Sequence, residues 1–123
     1  MPLQNTDLEA LLTNTPILIS EISRKLVSAE TEIEVKEKAI KRSIMQHLKE
    51  INAETGADGK KKFSNEQARS AELEERVSTD IEYQGLVAEV MKLKEAAEEV
   101  KIDLQEQLHL FSAFKSVANL RSV

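Results

Sequence analysis

The sequence predicts an all-α chain, an antiparallel long helical hairpin of coiled-coil type that self-associates into a helical bundle. Three observations carry this expectation. Aromatic residues make up only 3% of the 123 residues and charged residues 32%, with three glycines and two prolines, so the chain is poor in turns and in the bulky side chains of a mixed core. Two stretches repeat apolar residues in steps of three and four, the spacing that keeps one narrow stripe on one side of a helix. With breaks at both Pro16 and Asp80 the two long helices span about 16–53 and 80–118, nearly equal lengths that favour an antiparallel hairpin, whose short connection brings consecutive helices alongside each other. The length suits one domain, residues 1–123.

The N-terminal segment offers two starts. Thr6 and Glu9 have the spacing of a capping box, which predicts a short helix over about 6–13. Thr15-Pro16 then offers a cap followed by proline at the first helical position, where its missing N–H costs little. The long helix therefore either begins near 16 or continues from residue 6 with a kink, and runs to about 53. Its stripe reads Ile22, Leu26, Ala29, Ile33, Lys36, Ile40, Ile44, His47 and Ile51, with two successive four-residue steps at 36–44 forming a stutter. Glu21-Lys25, Glu32-Lys36, Glu34-Lys38 and Glu37-Lys41 are spaced i,i+4 with Glu first, each pair worth about 0.2–0.5 kcal/mol.

Residues 54–64 read as a basic loop, in which Gly56 and Gly59 flank Ala57-Asp58. Ser64 with Gln67 forms a further capping box, so a helix is expected from about 65 to 118. Ser78-Thr79-Asp80 groups three weak helix formers, and Thr79 with Glu82 repeats the box, which predicts a break or kink near 78–80. The second stripe runs Leu86, Val90, Leu93, Ala97, Val100, Leu104, Leu108, Phe111, Phe114 and Ala118, with a stutter between 104 and 108.

Apolar residues also lie beside these seams, more than one partner helix covers. Leu18, Ile19, Met45, Met91, Leu110, Phe111 and Phe114 are the candidate oligomer interface. For the two phenylalanines a competing reading packs them inside the subunit against Leu11, Leu12, Leu18 and Ile22.

Charge is unevenly spread. The net charge is −5, but residues 56–69 hold four basic against two acidic residues, whereas 70–108 hold eleven acidic against four basic. Lys36, Lys38, Lys41, Arg42 and Lys49 form a basic run that an antiparallel return would set against Glu72, Glu74, Glu75, Asp80 and Glu82. Lys60, Lys61, Lys62, Phe63 and Arg69 at the tip have no such partners in view, and they are the candidate residues for binding nucleic acid or a partner. Lysines contact phosphates and an exposed aromatic ring stacks on bases. Alternatively Phe63 is a hydrophobic staple folding onto Ala68, and the lysines only solvate the loop.

Chemistry for catalysis is missing. His47 and His109 belong to no metal-ligand spacing, and no phosphate-cradling glycine loop or nucleophile motif is present. Cysteine is absent, which excludes disulfides and thiolate metal sites. The expectation is a nonenzymatic protein without cofactor, metal or small-molecule substrate. With no long apolar run and no charged-then-apolar leader pattern, no membrane association is expected, and a cytoplasmic location is.

Residues 60–84, KKKFSNEQARSAELEERVSTDIEYQ, resemble small helical proteins of tailed bacteriophages. In that pattern a lysine-and-aromatic turn leads into an Asn-Glu-x-x-Arg helix, then an Asp-Pro-Glu-Tyr-Gln-like restart. Phe63, Asn65, Glu66, Arg69, Asp80, Glu82, Tyr83 and Gln84 fit, and Ile81 stands where the pattern has proline. The resemblance implies a setting among phage replication and recombination genes, hence the cytoplasm of the host cell, and brings no catalytic residues. The leading expectation is an accessory protein of DNA metabolism, a homo-oligomer that binds single- or double-stranded DNA, or a replication or recombination protein, through the tip. The alternatives are a structural or chaperone-like adaptor of virion assembly, and an acidic inhibitor of a host protein.

Overall fold

Because the apolar steps of three and four persist almost without interruption, burial of one face drives nearly the whole chain into helix. The computed structural model describes residues 3–122. Helix α1 spans Asn5–Ala53, α2 Glu66–Thr79 and α3 Ile81–Ser122. Among the described residues no strand forms, and one isolated antiparallel bridge joins Thr55 to Lys61. The chain divides into two compact units, Met1–Thr31 with Lys94–Val123, and Glu32–Leu93.

Of the two starts offered for the long helix, the first unit takes the continuous one, with no break at Pro16. Proline lies inside α1, although it removes one backbone hydrogen bond and crowds the preceding turn. The physical reason is the stripe itself: Leu8 and Thr15 are buried and Leu12 and Ile19 half-buried in steps of three and four across the proline, so a break would forfeit that face. Replacing Pro16 by alanine is therefore expected to stabilise the chain by about 1–3 kcal/mol, visible as a higher thermal midpoint by circular dichroism. The Thr6–Glu9 box does not form either. The helix already includes Asn5, and the Leu8 amide donates to the Gln4 carbonyl at 3.0 Å. Arg121 holds this start, donating to Asn5 Oδ1 at 2.8 Å and to the Leu3 carbonyl at 2.6 Å.

In the Glu32–Leu93 unit Ile33, Ile51 and Val90 are buried, and every α1 position assigned to the stripe is buried or half-buried. Along α3 the stripe differs from the expectation at one place. Gln107 is half-buried while Leu108 is 47% exposed, so the covered positions run 100, 104, 107, 111 and 114 without a stutter. Unbroken alternation of four and three keeps the seam on one side, and a polar residue is carried into it as the consequence.

Both helix starts in this unit use a cap one residue later than expected. Asn65, not Ser64, caps α2: its backbone is extended (φ −123°, ψ 161°) and its Oδ1 accepts the Ala68 amide at 2.7 Å. Asp80, not Thr79, caps α3, accepting the Tyr83 amide at Oδ1 over 3.1 Å, while its carbonyl accepts the Gln84 amide at 3.0 Å. Thr79 is occupied elsewhere, its hydroxyl donating to the carbonyls of Glu75 and Arg76. A single extended residue, Asp80, thus separates α2 from α3.

Candidate functional site

The loop after α1 is closed by its own backbone. Gly56 donates to the Lys60 carbonyl at 2.7 Å, Gly59 to the Gly56 carbonyl at 3.0 Å, and Lys62 to the Glu54 carbonyl at 3.0 Å. Asp58 accepts the Lys60 amide through its side chain at 3.1 Å. Gly59 sits at φ +78°, in the left-handed region where a side chain is strained. A turn followed by a left-handed glycine is the three-residue loop that ends in a G1 bulge, which explains the Gly-Ala-Asp-Gly spelling.

This closed loop sorts the five candidate residues. Lys60 and Lys61 are exposed, and among the described residues neither is in an ion pair. Lys62 is exposed as well, with its Nζ 5.4 Å from the centre of the Phe63 ring. Phe63 is half-buried, and the Arg76 guanidinium lies 5.9 Å from the ring centre. The ring thus has a cation within reach at two places, consistent with cation–π attraction. Arg69 is half-buried and donates to the Phe63 carbonyl at 3.4 Å, so it supports the turn.

Sequence reading missed Arg76, which organises this end of the unit. It pairs with Glu54, just beyond α1, and with Glu72 one turn earlier in α2 at 2.8 Å. The two carboxylates push its guanidinium further above its ordinary value, Glu72 more than Glu54, against the opposing effect of desolvation. The i,i+4 spacing of Glu72 and Arg76 was the available signal. Nothing local marks Glu54 as the third member.

A second polar cluster lies at the Asp80 break. His47 Nε2 donates to Asp80 Oδ2 at 2.7 Å, and both side chains are mostly covered. That hydrogen bond, and after it the Tyr83 amide, hold the Asp80 carboxyl below the usual carboxylate range despite desolvation. His47 Nδ1 is buried and carries no hydrogen bond. Ala39, Arg42, Ser43, Gln46, Glu82 and Leu86 complete the lining of the groove around the pair. The groove brings a serine, a histidine and an aspartate together, which sequence spacing did not suggest, but no hydrogen bond joins Ser43 to His47. The pair's evident work is to lock the α2–α3 break to α1.

The basic run on α1 is not spent on the acids expected to face it. Lys36 pairs with Glu89 at 3.1 Å, and Lys38 with Glu34 on its own helix at 3.2 Å. Asp80 is taken by His47 and Glu72 by Arg76. Among the described residues Lys41, Arg42 and Lys49 are exposed and no ion pair is recorded for them. The correction is geometric: α2 presents its acids to Arg76 and to solvent, and the residue opposite Lys36 lies further along α3.

Of the proposed oligomer residues, Leu18, Met45, Met91 and Leu110 are exposed within one chain, at 40%, 67%, 61% and 45%. Ile19, Phe111 and Phe114 are half-buried, and Lys115 Nζ lies 5.0 Å from the centre of the Phe111 ring. Among the described residues no group of three or more His, Cys, Asp or Glu side chains is placed to hold a metal ion. Among the described residues no helix is long and apolar enough to cross a membrane. No protein-family model, curated protein or solved structure matches this chain.

Proposed function

We propose that this chain is a nonenzymatic, self-associating helical hairpin that attaches to nucleic-acid phosphate through the loop end of its Glu32–Leu93 unit, as an accessory protein of phage DNA replication or recombination. The hairpin is supported inside each unit by pairs whose numbers rise on α1 as they fall on the later segment. Lys36 with Glu89 and His47 with Asp80 do so in one unit, and Asn5 with Arg121 is the corresponding tie in the other. Self-association is supported by the large apolar side chains left exposed, Val27, Met45, Met91 and Ile102 among them. The phage setting rests on the resemblance of residues 60–84.

One observation carries the binding reading. Of the acids around the loop, Glu54 and Glu72 are held by Arg76 and Asp58 accepts a backbone amide, which leaves Glu66 exposed beside three lysines, and Lys60 and Lys61 project from a turn closed by its own backbone hydrogen bonds. An ordered basic turn loses little conformational freedom on binding. With Phe63 engaged by neighbouring cations, the contact is with phosphate rather than by base stacking, so little sequence preference is expected.

The test is fluorescence anisotropy with labelled single- and double-stranded oligonucleotides at salt concentrations from about 50 to about 200 mM. The Lys60→Ala, Lys61→Ala, Lys62→Ala triple variant is expected to bind more weakly, with the salt slope on duplex reduced by about 2 to 3. If the native protein binds neither strand form at the lowest salt, the nucleic-acid reading fails. The loop is then assigned to an acidic surface on a protein partner, to be sought by affinity purification from infected cells.

A further inference from the structure

The outward face of α1 and the outward face of α3 carry the same pattern with opposite charge. On α1, Val35, Lys38, Arg42, Met45 and Lys49 follow one another in steps of three and four, within an arc of roughly 80° at about 100° per residue. On α3, Met91, Glu95, Glu98, Ile102 and Glu106 occupy an arc of similar width. Both series read apolar, charged, charged, apolar, charged. At about 1.5 Å per residue they extend over roughly 21 and 22 Å. The apolar members are exposed within one chain, Val35 at 56%, Met45 at 67%, Met91 at 61% and Ile102 at 50%. All six charged members are exposed too. Among the described residues the only ion pair recorded for them is the local one between Lys38 and Glu34.

We infer that these two faces bind each other between two copies of the chain, with α1 of one copy parallel to α3 of the other. In that register Val35 meets Met91, Lys38 meets Glu95, Arg42 meets Glu98, Met45 meets Ile102 and Lys49 meets Glu106. The antiparallel register is excluded by the same pattern, because it sets Lys38 against Ile102 and Met45 against Glu95. Each copy supplies one face of each kind, and the contact joins unlike faces, so it is a heterologous contact. The inference rests on the self-association proposed above and adds its partner face, direction and register. A nucleic acid would use the α1 cations as well, but it gives no role to Val35 and Met45 at matched spacing, nor to the complementary row on α3.

The experiment is sedimentation equilibrium with charge-reversed chains. Lys38→Glu, Arg42→Glu, Lys49→Glu is expected to weaken self-association on the order of 100-fold, because like charges then face each other. Glu95→Lys, Glu98→Lys, Glu106→Lys is expected to do the same. An equimolar mixture of the two is expected to recover native affinity, since both contacts become complementary again. Circular dichroism monitors helix content throughout. The absence of native cysteine permits a second route that does not depend on those variants folding: mixed Met45→Cys and Ile102→Cys chains should form a heterodimeric disulfide under mild oxidation. A monomeric native chain would overturn both this inference and the self-association beneath it. An oligomer indifferent to both reversals, with no disulfide between the two introduced thiols, would overturn the inference alone. Loss of oligonucleotide binding on reversing α1, with the oligomer intact, would overturn it in favour of a nucleic-acid face.

Discussion

Truncating Ile51 to alanine is expected to destabilise the fold by about 2–5 kcal/mol, read from urea unfolding followed by circular dichroism. Ile51 is 1% exposed, the most completely buried large side chain described. It lies in the last turn of α1, and the chain from there leads directly to Glu54, whose carbonyl accepts the Lys62 amide and whose carboxylate holds Arg76. A cavity at 51 therefore removes apolar contacts beneath the anchor of the loop. Met45→Ala, on the exposed side of the same helix, is the control and should change the stability of the isolated subunit by less than about 0.5 kcal/mol. If both variants behave alike, the burial pattern assigned to α1 is wrong.

The second large effect is expected at Asp80. Its side chain caps α3 through the Tyr83 amide and receives His47, and its backbone ends α2. Asp80→Ala loses both side-chain interactions and is expected to lower the thermal midpoint more than Asn65→Ala, which loses one cap. The pH dependence follows from the direction of the shift. Because the folded carboxyl lies below its unfolded value, the unfolded chain binds the proton more readily. The contribution is therefore fully present above the ordinary carboxylate value and is lost as pH falls through the lowered folded one. Asp80→Asn keeps an oxygen for the cap but cannot ionise. The difference in midpoint between native protein and this variant should shrink as pH falls below about 4. A difference that persists undiminished into strong acid would show that the Asp80 charge does not contribute.

How much was legible varies by element. Ile33, Ile51, Val90 and Ala97 were readable as core because their spacing repeats the helical turn and each is apolar. Gln107 was not, since a polar residue enters a seam only when the register on either side demands it, and Leu108 one position later was the natural choice. At Pro16 the sequence left two readings open for a related reason: the burial of Leu8 and Thr15, which decides for a continuous helix, belongs to the folded chain. The caps of α2 and α3 were located to within one residue. Serine, threonine, asparagine and aspartate compete for the same role, and position in the turn decides among Ser64, Asn65, Thr79 and Asp80.

The candidate site divides along the same line. The lysine loop and its glycines stand together in sequence. The Arg76 pair with Glu54 and the His47 pair with Asp80 join residues 22 and 33 positions apart, and no local pattern announces them.

Helix, the apolar seams and the basic turn follow from residues within one or two turns of each other, whose relative positions the helical period of about 3.6 residues sets in advance. Which cations remain free, what engages the aromatic ring and where α2 gives way to α3 depend on side chains brought together only when distant segments fold against one another. Those distances are set by packing, which responds to the whole buried face rather than to any short stretch of sequence.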